Sequence, residues 1–197
     1  VARSEVSSLV SLKSGRVVIF VCGATAHDPR ALRRLAASLQ ESAQNTGGLS
    51  TSVGIGGFTA YAAQMDRGYQ EALVALKVGR KLEGPGSVMH FYDVGTYRLL
   101  LDIYERDPGE IQALYEDTIG PVDRYDEANG TQLTRTLAVF FKNNERLTET
   151  AAELYAHRHT IRYRLEKIAE ISGLNPFETE HKERLGLGLK ARSLITS

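Results

Sequence analysis

The chain predicts an α+β fold in two parts, a sheet-and-helix domain followed by an all-α domain. Three observations carry that expectation. Short runs rich in Val, Ile and Phe alternate with helix-length amphipathic segments up to about residue 95. Beyond that point the apolar residues recur only at helical spacing. Gly and Pro pairs such as Gly47-Gly48, Gly84-Pro85-Gly86 and Gly120-Pro121 punctuate the segments where elements should end.

The elements follow in order. Val6 to Leu12 and Arg16 to Val21 are apolar-rich runs joined by Lys13-Ser14-Gly15, a short connection that signals a hairpin. Asp28-Pro29 opens a helix, because Asp caps free N–H groups and Pro is tolerated in the first turn. Ala31, Leu32, Leu35, Ala36 and Leu39 form its inner stripe, with Arg30, Arg33, Arg34 and Gln40 opposite. Leu49 to Phe58 reads as a strand ending in glycines. Tyr61 to Leu82 reads as a helix with Tyr69, Ala72, Leu73, Leu76 and Val78 inward, and Val88 to Val94 as a closing strand. The order β-β-α-β-α-β fits a sheet covered by helices on one face.

Composition narrows the class. At 197 residues, 42% hydrophobic and 24% charged, the chain is an ordinary globular protein of one or two domains. No run approaches the ~18 apolar residues that span a bilayer. The opening VARSEVSSLV is not a secretory signal and lacks an initiator Met, so the expectation is a portion of a longer, cytoplasmic chain. Cys22 is the single cysteine, which excludes an internal disulfide and any multi-cysteine metal site. At the end of VVIFV it is expected to be an inert core thiol.

The stretch TSVGIGGF, followed by QEALVALKVGRKLEGPGSVMHFYD, resembles the GGDEF-type nucleotide cyclase fold, over about residues 5 to 95. The family's signature hairpin would fall at Ser14-Gly15-Arg16-Val17-Val18, where no carboxylate stands. Its strand with the other metal carboxylate would lie before Val1. Cyclisation of a nucleoside triphosphate needs carboxylates to hold Mg²⁺ against the phosphates. The resemblance therefore implies a degenerate, cyclase-like domain without catalysis. Gly54, Gly56 and Gly57 are read as a structural turn in preference to a phosphate cradle.

Gly95 to Arg106 looks helical, with Leu99, Leu100, Ile103 and Tyr104 apolar. Asp107-Pro108 restarts a helix through Ile111, Leu114 and Tyr115. Val122 to Gly130 is polar and reads as a loop or broken helix. Thr131 begins a helix whose stripe is Leu133, Leu137, Phe140 and Phe141. Thr148 is expected to cap the next helix, about Glu149 to Tyr155, which buries Ala151 and Leu154. A further helix starts near His157 or Arg158 and ends at Ser172, with Ile161, Leu165, Ile168 and Ile171 inward and Gly173 suited to its end. Past Asn175-Pro176 a last helix, about Glu180 to Leu194, offers Leu185, Leu187, Leu189 and Leu194 for packing.

The chemistry lies opposite the Ile and Leu stripe. At about 100° per residue, His159, Arg162, Tyr163 and Glu166 point away from it, and Arg158 and Arg164 flank them. The chain as a whole has 24 Lys+Arg against 24 Asp+Glu, so this cluster of cations is not a by-product of a basic composition. Thr160 lies in the first turn, where a recognition helix meets phosphates and base edges. Arg reads guanine in bidentate fashion, and Lys167 would add a phosphate contact. A solvated amphipathic face is the plainer reading. The tight connection and the inward Ala151 favour a helix-turn-helix instead. His157 and His159 are too few for a metal site.

TAAELYAHRHTIRYRLEKI is similar to the C-terminal helix-turn-helix of the PucR/CdaR transcriptional regulators, a resemblance covering about residues 131 to 192. His159 departs from the family's usual Asn, and Tyr155 stands in the turn where many helix-turn-helix proteins have Gly. That family also places a degenerate GGDEF-like domain ahead of the module. The resemblance implies residues 1–95 as the GGDEF-like domain, 96–130 as a helical connector and 131–197 as the DNA-binding domain. It implies Thr148, Arg158, His159, Thr160, Arg162, Tyr163, Arg164 and Lys167 as the DNA-binding residues. The implied partners are a double-stranded operator and a second copy of the chain, with an effector bound by a region ahead of these domains. No cofactor, metal or membrane is expected. Two other readings stand beside it: a nucleotide-binding or cyclase-like signalling domain, and a basic helix that docks on an acidic protein.

Overall fold

The computed structural model describes residues 7–196, so Val6 lies outside the described residues. Two compact units divide between Arg98 and Leu99.

In the first unit β1 (Ser7–Lys13) and β2 (Arg16–Cys22) form an antiparallel hairpin in which Lys13 pairs with Arg16 and Leu9 with Phe20. Ser14 and Gly15 form the turn with φ of 52° and 72°. Two successive left-handed residues match the right-handed twist of the strands. Cys22 is exposed, not the core thiol expected. It sits in the end pair of the ladder, opposite Ser7, with strand neighbours on one side only.

Helix α1 (Pro29–Gly47) begins as its sequence dictates, Asp28 Oδ1 accepting the Arg30 N–H at 2.9 Å, and Gly48 closes it at φ 63°. Its inner face is the expected one at Ala31, Leu32, Leu35 and Ala36, and departs from it at Leu39 and Gln40. Ala36 is buried, Leu39 is 40% exposed, and Gln40 turns inward to donate to the carbonyls of Thr51 and Gly86. Those two loops flank the next strands, and securing their free carbonyls outweighs burying Leu39.

The expected single sheet is instead two separate pairs among the described residues. β3 (Val53–Ile55) and β4 (Val88–His90) run parallel, joined across α2 (Met65–Glu83). Both strands are shorter than read from the sequence. At β4 the chain turns after His90 into α3 (Phe91–Val94), because His90 Nδ1 accepts the Tyr92 N–H at 3.2 Å and caps that turn. Gly54 in β3 and Gly56 just after it have a steric cause. A Cβ at Gly54 would lie 2.0 Å from the Ala72 carbonyl oxygen, and one at Gly56 2.2 Å from that of Gly68. Strand and helix therefore approach backbone to backbone, with Ala75, Val78 and Gly79 buried in α2.

The second unit is helical. It takes in most of α4 (Tyr97–Arg106), then α5 (Pro108–Glu116) and α6 (Gly120–Asn129). In α4 the inward residues are Leu100 and Leu101, while Leu99 is 57% exposed. The helix opens at Tyr97, and the face at i, i+3, i+4 and i+7 runs through 100, 101 and 104. The polar segment read as a loop or broken helix is α6 throughout, because its carboxylates find partners. Asp123 accepts from the Thr134 hydroxyl at 2.8 Å, the Tyr115 hydroxyl at 3.1 Å and Arg192 Nε at 2.5 Å. Burial, then the neighbouring Asp123 charge, pushes the Tyr115 phenol up to about 12. The last helix, α10 (Thr179–Ile195), packs on α5 and buries Leu185, Gly188, Ala191 and Leu194, and Leu187 stays 37% exposed.

Candidate nucleic-acid interface

Three helices build the site: α7 (Leu133–Lys142), α8 (Leu147–Glu153) and α9 (Arg158–Ser172). Asp126 fixes the start of α7 by accepting the N–H groups of Leu133 and Thr134 at 2.8 and 2.9 Å. Leu137, Phe140, Ile161, Leu165 and Ile168 interlock in one core at 1% exposure or less. Ala151 of α8 joins that core and lets α9 cross closely.

Thr148 is not the cap expected of it. Helix α8 starts two residues earlier, with Arg146 at its N-cap and no side-chain cap bond, and Thr148 stands exposed in the first turn. The left-handed residues Asn144 and Glu145, at φ 51° and 64°, end α7 and deliver the chain to Arg146 already extended. Thr150 takes the local bond instead, its buried hydroxyl donating to the Arg146 carbonyl at 2.7 Å.

Helix α9 is capped by His157, whose Nδ1 accepts the His159 N–H at 3.3 Å. Their rings stack with centroids 5.1 Å apart. Ile161, Leu165 and Ile168 have no exposed surface, as the periodicity required. On the free side Arg158, His159, Thr160, Arg162 and Tyr163 are all exposed. Among the described residues Arg162 forms one ion pair, Nε to Glu166 Oε1 at 2.9 Å, with 63% of its side chain open to solvent. A surface pair of this kind contributes little, so the guanidinium is free to exchange partners.

The two remaining candidate residues face the body of the unit. Arg164 is half-buried and donates from Nη1 to the Thr136 hydroxyl on α7 at 3.2 Å. Lys167 donates to both Glu170 oxygens at 2.9 and 3.0 Å and lies 5.5 Å above the Tyr125 ring. The Glu170 hydrogen bond holds the Lys167 ammonium above its ordinary pKa. A residue that the sequence reading left off the site is Tyr155, in the turn between α8 and α9. It holds φ at 50° and is 98% exposed. Its sequence signal was a bulky residue at a position that favours glycine.

The arrangement is a buried stripe clamping α9 while its first turns present cations, hydroxyls and rings outward. That can engage phosphates and base edges. Among the described residues no cluster of His, Cys, Asp or Glu could hold a metal ion, and no helix is long and apolar enough to cross a membrane.

Residues 133–191 match the PucR C-terminal helix-turn-helix domain, and residues 1–78 match a GGDEF-like domain. The DNA-binding transcriptional activator AdeR of Bacillus subtilis is 24% identical over 94% of this chain and 44% of its own length. The carbohydrate diacid regulator of Escherichia coli is 32% identical, over 66% of this chain and 32% of that protein. The purine catabolism regulatory protein of Bacillus subtilis is 28% identical, over 75% and 27% respectively. The chain thus spans less than half the length of these relatives.

Proposed function

We propose that α9 lies in the major groove of a double-stranded operator, in a chain of the PucR/CdaR type whose GGDEF-like domain is followed by the PucR helix-turn-helix domain. One observation carries the reading. The first two turns expose Arg158, His159, Thr160, Arg162 and Tyr163, with His159 and Tyr163 directly opposite a fully buried stripe. In this reading Arg162 reads a base edge, and Arg158, Thr160 and Thr148 touch the backbone. Arg164 and Lys167 keep their internal partners and act as supports.

The rest of the proposal follows from size and chemistry. One helix-turn-helix offers limited contact area, so two copies bind two half-sites about one helical turn apart. The effector is bound by a part of the protein ahead of these domains, and the protein works in the cytoplasm without catalysis. The hairpin at Ser14-Gly15-Arg16-Val17-Val18 offers no carboxylate to a metal–nucleotide complex.

The test uses a duplex selected from a random pool by the wild-type chain. Arg162→Ala is expected to weaken binding by roughly 1–3 kcal/mol on the selected duplex and far less on a scrambled one. Wild-type binding should fall steeply with added salt. Equal affinity of mutant and wild type for the selected duplex would remove Arg162 from base readout. No salt-dependent binding of any duplex would overturn the proposal itself.

A further inference from the structure

Tyr155 is held in an unfavourable backbone conformation, yet its side chain does nothing for the fold. Its backbone closes α8: the Ala156 N–H reaches the Ala151 carbonyl at 2.9 Å and the Tyr155 N–H that of Ala152 at 3.3 Å. This paired closure requires a left-handed residue where Tyr155 stands, and glycine adopts that conformation at least cost. In tyrosine the Cβ crowds the following carbonyl. The ring returns nothing for that strain. It is 98% exposed, and among the described residues no hydrogen bond or ring contact reaches it. A single exposed aromatic is ordinary, but an exposed aromatic on a strained backbone is an outlier.

Its surroundings say what it faces. Two residues on, the His157 and His159 rings stack, and the exposed Thr160 follows in the first turn of α9. Tyr155 therefore stands at the end of α9 that meets a duplex first. We infer that Tyr155 is a sugar–phosphate contact that seats α9 on DNA, an inference that rests on the DNA-binding reading above. The phenol hydroxyl donates to a phosphate oxygen, and the ring lies along the sugar edge. Such a contact fixes the position of the helix and reads no sequence.

The test follows from separating strain from contact. The 197-residue chain is titrated with the selected duplex and with a scrambled duplex, and its melting temperature is measured without DNA. Tyr155→Gly is expected to melt above wild type, because the turn is relieved, and to bind both duplexes about ten-fold more weakly. Tyr155→Phe keeps the strain and loses only the hydroxyl, so it should melt with wild type and still bind both duplexes more weakly. If Tyr155→Gly binds both duplexes as tightly as wild type, the inference is overturned. A loss confined to the selected duplex would also overturn it, by making Tyr155 a base reader. Wild-type binding to neither duplex would sink the DNA-binding reading, and this inference with it.

Discussion

The two units bury their apolar residues differently. In the second, large side chains meet in one core: Phe140, Ile119, Leu137, Ile161, Leu165, Ile168 and Leu185 are all 1% exposed or less. In the first, the deepest residues are small ones, Ala36, Ala75, Val78 and Val94, with Met89 beside them. Its hairpin leaves Val10, Leu12 and Val17 exposed at 59%, 80% and 64%. Cross-strand pairing puts Leu12 beside Val17 and Val10 beside Ile19, so these residues share one aliphatic face. Apolar burial stabilises by about 25 cal/mol per Å². The second unit therefore draws its stability from side-chain packing. The first depends on backbones that approach closely. The helix that carries the proposed DNA contacts stands on the better-packed base, which is where positional accuracy is needed.

The largest expected effect tests that contrast directly. Phe140→Ala empties the centre of the second core and should cost about 3–5 kcal/mol, read as a lowered urea midpoint with an unchanged slope. Leu12→Ala on the exposed hairpin face should stay within about 0.5 kcal/mol. Comparable losses from the two would mean that the hairpin face is covered in solution and the contrast does not hold.

A smaller effect sharpens the other side of the comparison. Gly54→Ala introduces a methyl group 2.0 Å from the Ala72 carbonyl, where backbone must move because no flexible side chain can yield. A loss of about 1–3 kcal/mol from the first unit is expected. Hydrogen exchange resolves the units separately, and faster exchange should appear in α2 and β3 while α7 to α9 keep their protection. Unchanged exchange in α2 would show that strand and helix separate at no cost, and that close approach is not what holds this unit.

How much was legible in the sequence follows the same division. In the second unit the period of Ile161, Leu165 and Ile168 fixed both the helix and its buried side, because long side chains in one core leave a regular trace. The hairpin turn was legible too, since Ser14-Gly15 leaves few alternatives. What escaped was decided by partners far away in the chain. Gln40 turned inward for carbonyls at Thr51 and Gly86, and α6 became a continuous helix because Asp123 and Asp126 are satisfied from α7 and, for Asp123, also from α5 and α10. Helix periodicity sorted the candidate site only in part. Arg162 and Arg164 are two residues apart, and whether each points to solvent or to Thr136 depends on a neighbouring helix. Thr148 missed its cap because the chain was already extended two residues earlier, at Arg146.

The smallest effect concerns how acid weakens the better-packed unit. Burial alone would push the Asp126 carboxyl up, but the Thr131 hydroxyl and the Leu133 and Thr134 N–H groups donate to it and hold its pKa below 3.8. A carboxyl depressed in the folded state adds stability that is complete above its unfolded pKa and is lost as pH falls through the folded value. Asp126 should therefore contribute to the acid limb only below about pH 4. Asp126→Asn keeps one acceptor oxygen and removes the titration, so its urea midpoint should fall less between about pH 5 and about pH 2 than that of wild type. Glu116 is also lowered, first by its hydrogen bond from Arg124, but that pair lies on the surface, where solvent screens it. Glu116→Gln should flatten the acid limb less than Asp126→Asn does. The reverse order would mean that the surface pair, and not the Asp126 cap that starts α7, sets the acid sensitivity of the helical unit.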